Sequence, residues 1–252
     1  MKWLTTARDL RRRKARERNG LFVAEGVRTV EELARSPLVV EAVLVTARAA
    51  LDARAAAALQ ALAARGVPVL EVTDAEFESA ADTEHPQGLL AIVRQPKRSL
   101  DDLTLGPTAR LLVLDAIQDP GNVGVLIRTA AALSATAVVA LPGTVDVWNA
   151  KVVRSAAGTH FRFAALEASL DALDALLERE GIPLWGTDAG GTPVEAVTAP
   201  ARLAIAVGNE GAGLSDALRA RCSTVVSLPM APDVESFNVA VAAGLTLYAL
   251  RP

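Results

Sequence analysis

The sequence predicts an α/β protein in two parts, because short apolar runs alternate with helical patterns in two successive series. Between the two series, residues 96–108 contain two prolines and a glycine and lack a long apolar run. Such a composition is typical of a linker. We therefore expect a smaller domain over residues 1–95, a linker over residues 96–108 and a larger domain over residues 109–252.

In the first series, each expected strand is a short apolar run bounded by polar or turn residues. The expected strands are Leu21–Ala24, Leu38–Thr46, Val67–Val72 and Leu89–Arg94. Helical patterns separate them at residues 25–34 and in the alanine-rich stretch 51–65, which ends at Gly66. Thr73 is the expected N-cap of a further short helix with Glu76 in its first turn. This alternation indicates a small α/β domain.

The second series contains more strands, and most of them are again separated by helical patterns. The expected strands are Leu111–Ala116, Ala137–Leu141, Phe161–Ala165, Leu184–Asp188, Leu203–Val207 and Thr224–Leu228. The expected helices cover residues 122–134, 150–157, 170–180, 214–221 and 237–250. Asn122 is the expected N-cap of the first of these helices.

The composition excludes several classes of protein. Hydrophobic residues make up 51% of the chain and charged residues 22%, which is typical of a globular protein with a substantial core. The single cysteine, Cys222, excludes disulfide bonds within the chain and a cysteine-based zinc site. No apolar run reaches the length of about 18 residues that a membrane span needs. The N-terminus lacks the apolar segment of a secretory signal, so we expect a cytoplasmic protein with no membrane partner.

Charge is distributed unevenly along the chain. Residues 1–18 carry eight Lys and Arg residues and two acidic ones, although the whole chain has a formal net charge of −3. A basic segment on an acidic body suits an arm that contacts nucleic-acid phosphates. A solvated helix end or a solubility tail explains the same charges equally well. Charge alone therefore leaves both interpretations open.

Two loops near the C-terminus follow apolar runs and are candidates for a ligand site. Gly208-Asn209-Glu210-Gly211-Ala212-Gly213 follows the run 203–207, and Pro229-Met230-Ala231-Pro232 follows the run 224–228. Loops at the carboxyl ends of strands are the usual ligand site of an open α/β sheet, and glycines permit a close backbone approach. The glycine spacing matches neither the dinucleotide fingerprint nor the P-loop. Taken alone, it identifies no ligand.

Three cationic side chains suit an anionic partner. Arg128 lies in an otherwise apolar helical stretch, where a guanidinium must pair, reach solvent or bind an anion. Lys151 and Arg154 share one face of a short helix, which suits a phosphate or a carboxylate. A solvated helix face is the simpler explanation for all three when each is considered alone. His85 and His160 are isolated in the sequence, and we expect no metal site.

Three motifs in order give the strongest functional signal. The first is Asn122-x-Gly124-x-x-x-Arg128-Thr129, the second is Gly208-Asn209-Glu210-Gly211-x-Gly213-Leu214-Ser215, and the third joins Leu228-Pro229-Met230 to Glu235-Ser236-Phe237-Asn238. Together they resemble the signature motifs of the SpoU/TrmH class of RNA ribose 2′-O-methyltransferases, within the knotted SPOUT superfamily. The resemblance extends from Leu111 to the C-terminus.

The N-terminal half resembles the substrate-binding domain that these enzymes often carry, a fold similar to a ribosomal protein. The similar features are Arg11-Arg12-Arg13-Lys14 and Phe22-Val23-Ala24-Glu25-Gly26. The resemblance therefore implies a small N-terminal α/β substrate-binding domain and a C-terminal SPOUT α/β domain with a trefoil knot. It further implies a homodimer that forms through the C-terminal domain.

The resemblance implies S-adenosylmethionine as the cofactor and an RNA ribose as the methyl acceptor. The residues that would contact the cofactor are Thr187, Gly208, Asn209, Leu228, Met230 and Phe237. The residues that would support catalysis are Arg128, Asn122, Glu210, Ser236 and Asn238, with Glu210 orienting Arg128. The residues that would contact RNA phosphates are Arg11, Arg12, Arg13, Lys14, Lys151 and Arg154.

The identity of the RNA and the presence of activity are open to alternatives. The additional N-terminal domain favours ribosomal RNA, most of all 23S rRNA, over transfer RNA as the substrate. An RNA-binding or ribosome-assembly factor that keeps the fold without catalysis is a second interpretation, against which the intact motif residues argue. A nucleotide-dependent metabolic enzyme is a third interpretation, and the chain lacks the fingerprint that would support it.

Overall fold

A computed structural model describes residues 2–251, which form helices and strands in alternation over most of their length. Up to residue 97 the elements are α1 (Lys2–Asp9), α2 (Arg13–Asn19), β1 (Leu21–Glu25), α3 (Val27–Ala34), β2 (Val40–Thr46), α4 (Ala47–Ala50), α5 (Ala53–Ala64), β3 (Val69–Val72), α6 (Asp74–Glu78) and β4 (Leu89–Arg94). The later elements are β5 (Ala109–Leu114), α7 (Pro120–Ala132), β6 (Ala137–Ala140), α8 (Ala150–Ser155), β7 (Ala165–Glu167), α9 (Leu170–Glu180), β8 (Leu184–Pro193), β9 (Arg202–Val207), α10 (Asp216–Arg219), β10 (Thr224–Ser227) and α11 (Val239–Ala249).

The described residues divide into two compact units. The first unit comprises residues 2–97 together with Trp148–Arg162, and the second comprises Arg98–Val147 and residues 163–251. The sequence suggested contiguous domains, whereas α8 and its flanking residues group with the first unit. The expected linker also takes part in the fold, because Leu100 is 7% exposed and packs in the core of the second unit.

The first unit is built on a four-stranded sheet in the order β1-β4-β2-β3. β4 pairs antiparallel with both β1 and β2, whereas β2 and β3 are parallel. Successive side chains of β2 point to opposite faces, as strand geometry requires. Val43 and Val45 join one core cluster and Leu44 joins another, so both faces of this sheet are covered.

The basic N-terminal segment is part of this fold and not an extended arm. Leu4, Ala7 and Leu10 are buried and pack against one face of the first sheet. Arg16 is 3% exposed, and its Nη1 donates to the carbonyl oxygens of Leu10 and Arg11 at 2.8 and 3.0 Å. The unpaired carbonyls at the end of a helix need such donors. One of the arginines counted in the basic segment therefore has a structural role.

The expected strand over Phe161–Ala165 is wrong. Phe161 ends a short 3-10 turn and is fully buried in the core of the first unit, where its ring lies 6.2 Å from the ring of Phe22. Trp148 packs on the same Phe22 ring at 4.6 Å. Strand β7 begins later, at Ala165, and pairs with β6. The apolar character that suggested a strand at Phe161 reflects tertiary packing.

The second unit contains a six-stranded parallel sheet in the order β10-β8-β9-β5-β6-β7. Its central strands are apolar on both faces, as parallel strands covered by helices must be. α9 and α10 contribute to the core cluster on one side, and α7 packs against α11. Because all strands run in the same direction, their carboxyl ends meet at one edge of the sheet.

Candidate functional site

The loops that follow β9 and β10 surround a cavity of about 550 Å³ at the carboxyl edge of the second sheet. All six residues expected to contact a cofactor line this cavity: Thr187, Gly208, Asn209, Leu228, Met230 and Phe237. Three of the residues expected to support catalysis also line it: Glu210, Ser236 and Asn238. Residues from two distant motifs therefore meet at one place in the second unit.

The side chain of Asn209 shapes the glycine loop from within. Its Oδ1 accepts hydrogen bonds from the backbone N–H groups of Gly211 and Ala212, both at 3.0 Å. Its Nδ2 donates to the carbonyl oxygen of Ala116 at 2.9 Å. The backbones of Asn209 and Gly213 also exchange two hydrogen bonds of 2.9 Å. Asn209 thus closes the loop and ties it to the end of β5.

Gly208 is a position where only glycine fits. A Cβ built on Gly208 would overlap the carbonyl group of Gly213 and the backbone nitrogen of Leu214. Gly213 itself has a φ of +71°, a left-handed conformation that glycine adopts without strain. The two glycines therefore let two backbone segments touch, and this contact forms one wall of the cavity.

A residue that the sequence did not single out supports the same loop. Asp115 follows β5, is 5% exposed, and its Oδ2 accepts the backbone N–H of Ser215 at 2.7 Å. The next residue, Ala116, has a φ of +55° and accepts the Asn209 side chain. A buried carboxylate requires such partners. The available sequence signal was an acidic residue near the end of the expected strand Leu111–Ala116.

The lining of the cavity is acidic. Asp188, Glu210 and Glu235 contribute carboxylates, and the lining includes no Lys, Arg or His side chain. Arg219 donates to Asp188 at 2.6 Å and lowers the pKa of this carboxyl group, as does the N–H of Gly190 at 2.9 Å. Asp188 is held in its charged form, but Arg219 offsets that charge, so Glu210 and Glu235 are the carboxylates that make the cavity favour a cationic ligand over an anionic one.

Asn122, Glu210 and Asn238 form a hydrogen-bonded chain beside the cavity. The Nδ2 of Asn122 donates to Glu210 Oε1 at 2.9 Å, and its Oδ1 accepts from Asn238 Nδ2 at 3.1 Å. Asn122 was expected to be the N-cap of its helix, which is wrong. Asp119 caps α7, with Pro120 at the first helical position, and accepts the Asn122 N–H at 2.9 Å. The Asn122 side chain is thereby left to join the second and third motifs.

Arg128 lies farther along α7 and outside the cavity lining. Its side chain is exposed and makes no hydrogen bond or ion pair with any residue in 2–251. Glu210 was expected to orient Arg128, but Glu210 instead accepts from Asn122. The guanidinium of Arg128 is therefore available to an external anion.

The candidate RNA contacts all belong to the first unit. Arg11, Arg12, Arg13 and Lys14 are exposed at the α1–α2 corner, and Lys151 is exposed on α8. Arg12 pairs with an aspartate of α1, and Arg13 pairs with a glutamate of its own helix. Arg11 and Lys14 make no ion pair with residues 2–251. These two cations are the most available to phosphates.

Arg154 has carboxylate partners within the first unit. Its guanidinium lies 3.4 Å from Asp82 Oδ2 and 4.0 Å from Glu25 Oε2. Glu25 is 2% exposed and also accepts the Asp82 N–H at 2.8 Å. The sequence left a phosphate or a carboxylate open as the partner of Arg154. In this structure the partner is a carboxylate, and a buried one requires such a cation nearby.

Between Lys2 and Arg251, no helix combines the length and apolarity needed to cross a membrane. The same residues contain no group of three His, Cys, Asp or Glu side chains arranged to hold a metal ion.

Each of the two units matches a known protein family or domain. Residues 109–248 match the SpoU rRNA Methylase family, and residues 4–91 match the MRM3-like substrate binding domain. The chain belongs to the SpoU rRNA methylase family. It is an RNA 2′-O-methyltransferase that uses S-adenosylmethionine.

Relatives of this SpoU methylase resemble it over nearly the whole chain. The 23S rRNA (guanosine(2553)-2′-O)-methyltransferase RlmP of Bacillus subtilis (strain 168) is 35% identical over 97% of this chain and 94% of its own length. The SpoU methyltransferase AviRb from Streptomyces viridochromogenes, crystallised with AdoMet, is 29% identical with a TM-score of 0.87, covering 98% of this chain and 96% of that one. A crystal structure of an RNA 2′-O ribose methyltransferase is 30% identical with a TM-score of 0.84, covering 98% and 94%.

Gly208→Ala is expected to weaken S-adenosylmethionine binding by about tenfold or more, because the new methyl group would push the two loop segments apart. Isothermal titration calorimetry measures the change. Gly211→Ala in the same loop is the matched control, since its Cβ would meet only Asn209 Oδ1, at 3.7 Å. Equal affinities of the two variants would contradict the role given to the Gly208 contact.

Proposed function

We propose that this protein transfers a methyl group from S-adenosylmethionine to a ribose 2′-hydroxyl of 23S rRNA. The observation that carries the proposal is the glycine-walled cavity beside the chain of Glu210, Asn122 and Asn238. The Bacillus subtilis relative methylates a guanosine of 23S rRNA according to its name. That relative supports ribosomal RNA over transfer RNA as the substrate.

The cavity suits S-adenosylmethionine in shape, polarity and charge. Its glycine wall admits a close approach to the backbone, and Leu228, Met230 and Phe237 offer apolar surface to a purine. The carboxylates of Glu210 and Glu235 suit a positively charged sulfonium and disfavour the phosphates of NAD or ATP. When bound, the cofactor supplies an activated methyl group.

We assign to Arg128 the binding of negative charge at the target ribose. A guanidinium stays protonated in proteins, so Arg128 is not an ordinary general base. Its exposed donors are free to bind the phosphate next to the ribose. A cation at that position stabilises the negative charge that develops on the 2′-oxygen as its proton leaves.

Asn122, Glu210 and Asn238 hold the ribose hydroxyl in line with the methyl group. Glu210 uses Oε1 to accept from Asn122, and its Oε2 makes no hydrogen bond within residues 2–251. That free oxygen is available to accept a hydrogen bond from the hydroxyl. Ser236 is exposed in the same lining and supplies a second polar contact to RNA. Correct alignment of reacting atoms is a large part of catalysis in such transfers.

Arg128→Ala is expected to lower kcat for methyl transfer by about 10²–10³-fold, as the loss of one charge-stabilising donor does in other enzymes. Cofactor affinity should stay unchanged, because Arg128 lies outside the cavity lining. The measurement is transfer of labelled methyl groups to 23S rRNA and to a transfer RNA pool, followed by nuclease digestion and nucleoside mass spectrometry. Calorimetry measures cofactor binding on the same preparations.

Arg221→Ala is the control for this experiment, since Arg221 is another surface arginine, bonded to Asp174 at 2.6 Å. Its activity should equal that of the unaltered protein. Equal loss of methyl transfer and cofactor binding in Arg128→Ala would contradict the assigned role. Label in transfer RNA alone would reject 23S rRNA as the substrate. Cofactor binding without transfer to either RNA by the unaltered protein would favour an assembly factor.

We propose that the exposed basic residues of the first unit contact RNA phosphates. Arg11 and Lys14 make no ion pair with residues 2–251, so both charges are free. Arg12 and Arg13 pair with carboxylates on the surface, and such pairs are weak enough to exchange for a phosphate. Lys151 adds a further exposed cation, whereas Arg154 stays with its carboxylates.

The double variant Arg11→Ala/Lys14→Ala is expected to weaken binding to 23S rRNA fragments. The negative slope of log K against log salt should become shallower by about 1.5, because two phosphate contacts are lost. The double variant Arg35→Ala/Arg54→Ala removes the same charge from arginines that pair with Glu31. Fluorescence anisotropy at several salt concentrations measures both. A slope that changes equally in the two variants would reject a specific role for the α1–α2 corner.

We propose that a second copy of this chain covers an apolar face on α7 and α11. Val125 on α7 is 43% exposed, and Val241, Leu245 and Tyr248 on α11 are 50%, 44% and 56% exposed. The two helices pack closely, because Gly244 lies where a Cβ would approach Thr129 Cγ2 at 3.1 Å. Exposed apolar side chains on two adjacent helices are typical of a protein interface.

Leu245→Glu is expected to convert a dimer into monomers, because a carboxylate buried in the interface would lack a partner. Sedimentation velocity measures the change. Leu51→Glu is the control, as Leu51 is 87% exposed in the first unit. A protein that is monomeric before substitution would contradict the proposed dimer.

We further infer that the second unit contains the trefoil knot of SPOUT enzymes. Family membership supports this inference. An experimental chain trace through residues 187–239 in which no segment passes through a loop would contradict it.

A further inference from the structure

The first unit contains a separate cavity of about 400 Å³ at the carboxyl ends of the parallel strands β2 and β3. Its lining comes from α4, from α6 and from the turn that precedes β4. The carboxyl ends of parallel strands are a frequent ligand position in α/β proteins. The volume lies within the range of about 300–1,000 Å³ that is usual for ligand sites.

The walls of this cavity are held in place by the fold. At Gly88, φ is +77° and a Cβ would overlap Thr46 Oγ1, so the turn before β4 lies directly against the end of β2. The N–H of Thr46 donates to the Gly88 carbonyl at 2.9 Å. On the opposite wall, Thr73 and Glu76 form a capping box that begins α6, and Phe77 anchors this helix at 1% exposure. A cavity with such fixed walls is preformed for a ligand.

Charged side chains of both signs line the cavity without pairing. Arg48 and His85 supply cationic or donor groups, and Asp74, Glu78 and Glu84 supply carboxylates. All five are exposed, and none makes an ion pair or a side-chain hydrogen bond with residues 2–251. Carboxylates are in the majority, so most of the lining accepts hydrogen bonds from N–H donors, and Arg48 is its single guanidinium that can bind an anion.

A nucleotide of single-stranded RNA carries both groups. Its phosphate is a ligand for the guanidinium of Arg48. Its base presents N–H donors, and unpaired RNA bases are recognised by hydrogen bonds to the Watson–Crick edge and by stacking on His or Arg planes. Guanine presents two adjacent donors on that edge, N1–H and the N2 amino group. These two donors match the two oxygens of one carboxylate, which no other standard base does.

We propose that this cavity binds an unpaired guanine nucleotide of the RNA substrate. Arg48 contacts the phosphate, the carboxylate of either Glu78 or Glu84 accepts both donors of the guanine edge, and His85 lies at the base plane. This proposal rests on the proposed RNA substrate. It adds a contact that distinguishes one base from another, because a ribose 2′-hydroxyl is the same in every nucleotide. The substrate-binding domain matched at residues 4–91 includes every residue of the cavity.

The test measures binding of the full-length protein to the single-stranded pentanucleotides AAGAA, AAIAA and AAAAA by fluorescence anisotropy, where inosine (I) lacks only the N2 amino group. We expect AAGAA to bind at least about fivefold more tightly than AAIAA, the discrimination usual for one bidentate base contact. Glu78→Gln/Glu84→Gln should abolish this preference. Arg48→Ala should weaken binding of all three RNAs to the same extent.

Glu71→Gln and Arg28→Ala are the controls, because both residues are exposed in the first unit outside the cavity lining. Both should bind the three RNAs as the unaltered protein does. Equal affinities of the unaltered protein for the three RNAs, or a guanine preference that survives Glu78→Gln/Glu84→Gln, would overturn the proposal. Methyl transfer to 23S rRNA is assayed in parallel, and its absence beside an intact guanine preference would count against the proposed function alone.

Discussion

The backbone contact of Gly208 with Gly213 and Leu214 is the constraint on which the methyltransferase site depends. It closes the loop after β9 tightly enough for Asn209 to bond Gly211 and Ala212 from inside. Two hydrogen bonds connect the closed loop and the residue that follows it to the end of β5. Asp115 accepts the backbone N–H of Ser215, and the carbonyl oxygen of Ala116 accepts the side-chain amide of Asn209. A side chain at position 208 would force the two backbone segments apart, and the loop could not form all these hydrogen bonds at once. The cavity is therefore a product of backbone packing, and side chains supply its polarity.

Two polar residues of the first motif lie at different places on helix α7, one beside the cavity and one on the surface. Asn122 lies in its first turn and bonds Glu210 and Asn238 from the other two motifs. Arg128 lies six residues later, which is about 9 Å farther along the helix axis, and faces solvent near Val125. The motif thus joins an inner polar chain to an outer cation at the edge of the apolar face assigned to a second copy. The acidic cavity suits the cationic cofactor, while Arg128 suits an RNA phosphate.

Local sequence patterns predicted most strands because a buried strand in a covered sheet is a continuous apolar run. They also predicted Thr73 as a helix N-cap, and the structure adds the reciprocal bond from Glu76 that completes a capping box. They failed at Phe161, where an apolar residue serves the core of the first unit and not a strand. They failed again at Asn122, since Asp119 and Asn122 are both good caps and Pro120 favours the earlier one. They also missed the packing of Leu4 and Leu10, because the charges of the N-terminal segment suggested an exposed arm and only the tertiary structure shows these leucines in the core.

The sequence by itself determined the α/β class, most strands of the two sheets and the three motifs that resemble those of the SpoU methylases. It also indicated that the glycine loop permits a close backbone approach, and the structure shows such an approach between Gly208 and the backbone of Gly213 and Leu214. Tertiary structure alone decided the partners of polar groups: Asp115 with Ser215, Glu210 with Asn122, and Arg154 with Asp82. It also decided that residues 148–162 pack with the first unit. These outcomes depend on residues brought together from distant parts of the chain, and no local periodicity records such encounters.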